Sequence, residues 1–269
     1  MSQLMETIMG RKSVRTYDGQ QISASHRKNI EEYIETIKNP FEIPVEFILL
    51  DAEEHGLSSP VLSGEKMYVA GKTGKKPYAD VAFGYSFEKL VLYTWTLGIG
   101  TVWIGGTMKR ELFESAAKVK DGELMPCVSP LGYPARKRSL KESMMRKGVG
   151  ADSRLPADKL FFAEKWGNAL ESDTVMAEIL EMVRWAPSAV NKQPWRIIAK
   201  DGTYHFYEKK DHGYDRDKTG DLQKIDVGIA LCHFIMGLED KGMTYEVHIE
   251  DPGIDIPENT EYIVSVKVN

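Results

Sequence analysis

The sequence predicts an α+β fold with antiparallel-rich central sheets packed by helices, laid out as two degenerate half-repeats in one chain. Three observations predict it. Helical apolar stretches alternate with short β-rich runs along the 269 residues. Asp201-Gly202 separates two such runs, Arg196 to Lys200 and Tyr204 to Glu208, as in a hairpin. Two long stretches also align, DVAFGYSFEKLVLYTWTLGIGTVWI from Asp80 and DVGIALCHFIMGLEDKGMTYEVHI from Asp226. Each reads as an Asp-led helix, a glycine break and a strand. Residues 26 to 50 pair with 175 to 199 in the same way, as helix into strand.

Element by element, residues 1 to 8 start a short helix with Leu4, Met5 and Ile8 on one stripe. RKSVR follows at 11 to 15, then an Asp18-Gly19 turn. Ser23 or Ser25 caps a helix running to about Lys38, with Ile30, Tyr33, Ile34 and Ile37 on one face; Pro40 and Pro44 end it. Val45 to Leu50 is a strand. Residues 51 to 79 read as irregular, with four glycines and the basic run Lys72, Lys75, Lys76. Asp80 precedes a core helix over Val81 to Leu97, broken by Gly98 and Gly100. Thr101 to Ile104 reads as a strand stopped by Gly105-Gly106, Lys109 to Lys118 as a helix, and Pro126 to Leu131 as a strand. Residues 134 to 171 form an extension that wraps the body or links the halves. Ser172 or Asp173 then caps a helix to about Trp185, with Met176, Ile179, Leu180 and Val183 buried. The hairpin, a helix opening at Asp226, and strands Thr244 to Ile249 and Ile263 to Val268 complete the chain. The predicted division is 1–150, a 151–171 linker, and 172–269.

Composition excludes several function classes. A formal net charge of -5 gives no global attraction to nucleic acid. The most apolar run, Val81 to Ile104, holds Glu88 and Lys89 at its middle, so it is a buried helix and strand rather than a membrane span. Cys127 and Cys232 are far apart and form neither a disulfide framework nor a metal motif. With no apolar signal core at the N-terminus, the expected location is the cytoplasm. The six histidines show no metal spacing, and His233, in an apolar helix, reads as a packed core residue. The Gly98-x-Gly100 pair precedes a strand rather than a helix, so it is not a dinucleotide fingerprint.

Two segments carry chemistry. In RKSVR, Arg11, Lys12 and Arg15 are cationic and Ser13 adds a hydroxyl, a set suited to gripping a phosphate and also compatible with a solvated basic turn. In APSAVNKQPW at 186 to 195, Pro187 ends a helix, Ser188, Asn191 and Gln193 supply polar groups, and Pro194 stiffens the exit. Clustered polar side chains between an apolar helix and a strand read as a ligand-binding loop; a purely structural connection is the other reading.

RKSVR, APSAVNKQPW and the run from Asp80 through GIGTVWIGG to LGYP together resemble the FMN-dependent nitroreductase family, and most similarly a branch with two subunits fused in one polypeptide. The resemblance implies an FMN site between halves. Arg11, Lys12, Ser13 and Arg15 would form one wall, and Pro187, Ser188, Ala189 and Asn191 the other. At the place matching that loop, the first half has only NPFEIPVEF, so the resemblance implies one site per chain. It places Gly105 and Gly106 where backbone N–H groups approach flavin N5, with no obligatory side-chain catalyst; glycine stands where other members often carry Glu. Arg154, in DSR, resembles a late KSR phosphate clamp with Asp152 in place of Lys; Arg146, Lys147 or Lys12 could share its work. Lys66, Tyr68, Lys72, Lys75 and Lys76 are candidates for flavin-edge or nicotinamide contacts, but taken singly each reads first as part of an exposed charged loop.

The expected activity is hydride transfer from NAD(P)H through FMN to a nitroaromatic, quinone or similar conjugated acceptor, with no metal. The alternatives are a flavin-binding or flavin-modifying member of the same fold that is not a reductase, and a non-catalytic protein with a decayed site. The expected assembly is a monomeric pseudo-dimer or a homodimer that exchanges halves, with no nucleic-acid or membrane partner.

Overall fold

The computed structural model describes residues 1–171, 174–217 and 219–269. Its first half runs α1 (Gln3–Gly10), α2 (Ala24–Ile34), β1 (Val45–Asp51), β2 (Met67–Gly74), α3 (Ala79–Thr96), α4 (Arg110–Ala116), β3 (Glu123–Leu124), β4 (Val128–Leu131) and α5 (Leu140–Gly148). The rest runs β5 (Phe161–Ala163), α6 (Thr174–Arg184), β6 (Trp195–Lys200), β7 (Thr203–Lys209), β8 (Asp215–Arg216), β9 (Gly220–Asp221), α7 (Leu222–Asp240), β10 (Tyr245–His248) and β11 (Thr260–Val268). The Ser2 and Ser23 hydroxyls cap α1 and α2 by accepting the amides of Met5 and His26. The caps expected at Ser172 or Asp173 lie outside the described residues.

Two sheets flank a central helix pair. In the first, β2 is paired by β1 along one edge and by β3 and β4 along the other, all antiparallel. The second has the order β10-β11-β7-β6-β5, antiparallel except that β5 runs parallel to β6. α3 packs on β1 and β2, α7 packs on β6 and β7, and α3 against α7 is the most extensive helix contact. Both helices are buried around most of their circumference, as the all-round apolar sequence requires.

The crossing of α3 and α7 is reciprocal. A Cβ on Gly84 would overlap the carbonyl oxygen of Ile225, and a Cβ on Gly228 would overlap that of Val81. Val81 stands to Gly84 as Ile225 stands to Gly228, three residues before it in each helix. Two backbones thus touch through paired notches that only glycine leaves open. This contact pairs Val81 with Ile225, two residues away from the alignment of Asp80 with Asp226 that the sequence suggests.

Several elements differ from expectation. β2 lies inside the stretch read as irregular, where Gly71 and Lys72 hide its strand character. Gly71 is small because a Cβ there would stand 2.8 and 2.9 Å from the Phe83 and Phe87 rings. Lys72 is buried and paired to Glu46 at 3.3 Å and Glu123 at 3.2 Å. Thr101 to Ile104 is no regular strand. It makes isolated bridges through Thr101 to Ser13 and through Ile104 to Val128, because short segments lie on both sides of it. Asp226 does not open the last helix. Asp221 does, accepting the amides of Gln223 and Lys224, and Asp226 lies buried in the second turn. The extension over 134 to 171 contains α5 and the edge strand β5.

Gly84→Ala and Gly228→Ala are each expected to cost about 2 kcal/mol or more, by forcing two backbones apart. Denaturant midpoints at constant slope measure the loss.

Candidate functional site

RKSVR is held in place by small residues. Val14 donates its amide to the Thr101 carbonyl at 2.9 Å, and Gly100 leaves room for the Val14 side chain. Tyr17 donates its hydroxyl to the Val14 carbonyl at 2.7 Å. The segment therefore runs beside residues 100 to 104 and carries its cations to the edge of a cavity of about 930 Å³. That volume is at the upper end of the range for small-molecule sites. Arg11, Lys12, Ser13, Arg15, Gly105, Gly106, Arg154, Pro187, Ser188, Ala189 and Asn191 all line it. Neither Gly105 nor Gly106 has a positive φ, and a Cβ on Gly106 would meet no protein atom within 4 Å. A smaller recess of about 160 Å³ shares Ser13, Arg15 and the loop from Pro187 to Val190 with it and reaches Cys127 and Asp226.

The cation wall is dense. Arg11 is 8% exposed, and its Nε lies 3.9 Å from Glu88, a fully buried carboxylate on α3. Trp103 donates its indole N–H to the other Glu88 oxygen at 3.2 Å. His233 of α7 approaches Glu88 at 3.1 Å while its Nδ1 donates to the Met182 carbonyl at 2.8 Å. His233 is thus a core residue, as predicted, and also a link between the central helices. Burial pushes the Arg11 guanidinium down from its ordinary pKa, Glu88 raises it, and nearby Arg146 lowers it. Arg15 is likewise lowered by burial. Arg154 is lowered to about 10 by burial and by repulsion from Arg11, Arg184 and Arg146. It lies 4.8 Å over the Trp185 ring and donates to the carbonyls of Ala151, Ser153 and Trp185. Asp152 pairs with Arg146 at 2.5 Å, so the acid in DSR binds a second arginine of the cavity.

The facing loop is strained. Val190, Asn191 and Gln193 all have φ above +50°, and a β-branched residue such as Val190 is a clear outlier there. Ser188 Oγ accepts the Gln193 amide at 2.9 Å. Asn191 Nδ2 donates to the Gly150 and Ser153 carbonyls at 2.8 and 3.1 Å. Gln193 accepts the Leu155 amide at 2.9 Å, and buried Arg196 donates to the Gln193 carbonyl at 2.8 Å. Beneath the loop, both oxygens of Asp226 lie 3.1 Å from the Ala189 amide. Burial pushes the Asp226 carboxyl well above the usual carboxylate range.

Other acids crowd the start of α7. Asp80 accepts the Asp221 amide at 3.1 Å, and burial raises its carboxyl to about 6. Glu208 is 1% exposed with Oε2 unpartnered, and burial and the Asp221 charge raise it to about 8.

The family model described as "Putative TM nitroreductase" matches residues 3–238. The chain belongs to this nitroreductase family. Its fold is similar to the crystal structure of a "putative nitroreductase" from Thermotoga maritima, with a TM-score of 0.63 and 21% identity over 98% of this chain and 93% of that one. A nitroreductase family protein from Clostridium difficile aligns at a TM-score of 0.46 and 12% identity, over 59% of this chain and 96% of that one. A "putative NADH dehydrogenase/NAD(P)H nitroreductase" from Bacteroides thetaiotaomicron aligns at 0.44 and 18%, over 52% and 90%. These two partial likenesses are too distant to bear on the site. No curated protein matches the sequence.

Lys66, Tyr68, Lys72, Lys75 and Lys76 lie outside the lining of this nitroreductase-family cavity. Tyr68 is fully buried, with its hydroxyl donating to Glu65 at 2.9 Å. Missed by sequence reasoning were Trp103, Trp185 and the segment around Arg216, all lining residues, and the buried acids Glu88 and Asp226 behind them. A signal for the acids was present, since each interrupts an apolar run and so needs a buried partner. Among the described residues no group of His, Cys, Asp and Glu is placed to hold a metal, and no helix is long and apolar enough to cross a membrane.

Asp226→Leu is expected to free the Ala189 amide and speed hydrogen exchange across residues 188 to 193. Asp226→Asn keeps a side-chain oxygen there and should retain the protection. Glu208 gives a pH signature. Below about pH 4.5 its carboxyl is neutral both folded and unfolded. As pH rises toward 8 the unfolded chain ionises first, and stability falls. Glu208→Gln should remove that slope, so that its stability equals wild type at pH 4 and exceeds it increasingly up to pH 8, as read by urea titration across that range.

Proposed function

We propose that this chain is an FMN-dependent oxidoreductase that takes hydride from NAD(P)H and delivers it to a nitroaromatic, quinone or similar conjugated acceptor. The observation that carries the reading is a set of orphaned donors. Arg11, Arg15 and Arg154 each have a buried Nε with no hydrogen-bond partner, and all three line one cavity. Three guanidinium groups short of acceptors on one cavity call for an anion. A flavin phosphate carries about two negative charges and has enough acceptor oxygens for these three forks.

When bound, FMN would supply the two-electron chemistry, and the protein would supply binding, orientation and electrostatics. Arg11, Lys12, Ser13, Arg15 and Arg154 would hold the phosphate. Glu88 lies beside Arg11, and the Trp185 ring packs against Arg154. The loop from Pro187 to Asn191, tied down by Asp226 and by the Asn191 amide, would form the opposite wall. Gly105 and Gly106 would present bare backbone, because neither glycine is needed to avoid a clash within the protein. The cationic surround would favour negative charge gathering on the ligand during reduction.

This reading includes one composite site per chain. RKSVR and GG come from the first half and the PSAVN loop from the second, and the reciprocal contact of Gly84 and Gly228 supports a duplicated origin. Arg154 lies in the span read as a linker. The assembly follows as a monomeric pseudo-dimer, or as a homodimer exchanging halves.

Anaerobic mixing of FMN-loaded protein with NADPH or NADH tests the activity. Rapid bleaching of the yellow chromophore, restored by a nitroaromatic or quinone, is the expected result. FMN that binds without bleaching would leave a non-reductase flavin protein, and failure to bind FMN would sink both. Arg15→Ala should weaken FMN binding roughly tenfold to a hundredfold by fluorescence titration. It is a cleaner probe than Arg11→Ala, which also takes the nearby cation from buried Glu88.

A further inference from the structure

The cavity has a further cationic edge. Arg11, Arg15, Arg146 and Arg154 line the cavity together. Arg216 also lines it, from a different segment of the chain. It lies in β8, and the β8–β9 pair runs directly into the cap of α7 at Asp221.

The local sequence is Asp211-His-Gly-Tyr-Asp-Arg-Asp217. His212, Gly213, Tyr214 and Arg216 line the cavity, and Asp211, Asp215 and Asp217 do not. The segment enters β8 from a turn in which Gly213 has φ +89°. It brings an imidazole, a phenol ring and a guanidinium to the cavity, while the three carboxylates stay off its lining. Arg216 makes no ion pair among the described residues, while outward-facing Asp211 pairs with Lys192 at 3.3 Å. The arginine is therefore free to meet an anion from the cavity side.

Arg216 is exposed, so its guanidinium is open to a ligand entering the cavity. We propose that the His212–Tyr214–Arg216 edge selects a second ligand that carries a phosphate or carboxylate beside a flat ring. The inference rests on the flavin reading for the first ligand. It assigns to this edge the specificity for whatever binds next, whether the reductant through an extra phosphate or the acceptor through a carboxylate.

Equilibrium titration of FMN-loaded protein separates the two sources without turnover. One arm compares NADP⁺ with NAD⁺, and the other compares 4-nitrobenzoate with 4-nitrobenzyl alcohol. Wild type should bind the anionic member more tightly, by about threefold or more, in at least one arm. Arg216→Gln should bring that ratio close to one, and Arg216→Lys should keep most of it. Equal affinities in both arms for wild type would overturn the proposal. So would an Arg216→Gln loss shared equally by the charged and neutral ligands, which would mark a structural role. If the chain takes up no FMN, the flavin reading fails. The same titrations on the FMN-free chain then still judge Arg216 by the difference between wild type and variant.

Discussion

The close crossing of α3 and α7 is the constraint on which the rest depends. Gly84 and Gly228 let the two backbones meet, and the contact fixes the helices in both translation and rotation. That register brings His233 against Glu88 and sets Asp226 under the Ala189 amide. α3 carries the first sheet and α7 the second, so the spacing of the two walls of the cavity is inherited from this crossing. Bulk at either glycine would change helix spacing and, through Glu88 and Asp226, the support of both walls.

The site gathers charge of one sign in a chain whose net charge is of the other. The chain carries -5 overall, yet the cavity gathers Arg11, Lys12, Arg15, Arg146, Arg154 and Arg216 against Asp152 alone. Burial of arginines is costly without partners. Glu88 and Asp152 offset part of that cost at Arg11 and Arg146, and main-chain carbonyls offset part at Arg154. The unpartnered Nε atoms are what remains, an excess that an anion would relieve. Strain is concentrated opposite, at Val190, Asn191 and Gln193. Side-chain bonds from Ser188, Asn191, Gln193 and Asp226 hold those positive φ values in place.

Much of this was legible in the residues. RKSVR and APSAVNKQPW carry distinctive residue types at short spacing, and local chemistry of that kind survives without knowledge of the fold. Helix stripes such as Met176, Ile179, Leu180 and Val183 were equally plain, since burial imposes a period. β2 was illegible because its glycine and lysine serve tertiary contacts, with Phe83 and Phe87 on one hand and with Glu46 and Glu123 on the other. The role of Asp226 was misread because an aspartate before an apolar helix looks like a cap. Asp221 holds that position, leaving Asp226 to serve a loop 37 residues earlier.

The sequence by itself determined the fold class and the two chemical segments. Each is written in residue type and period, which act over a few residues. Only the tertiary structure decided which polar groups meet. Arg11 with Glu88, Arg146 with Asp152, Asn191 with Gly150 and Ser153, and Asp226 with Ala189 depend on how helices and loops are placed in space. So does the placement of Arg216 at the edge of the cavity. Pairings of this kind arise from desolvation, which makes every buried charge or N–H seek whatever partner the packed core brings within reach.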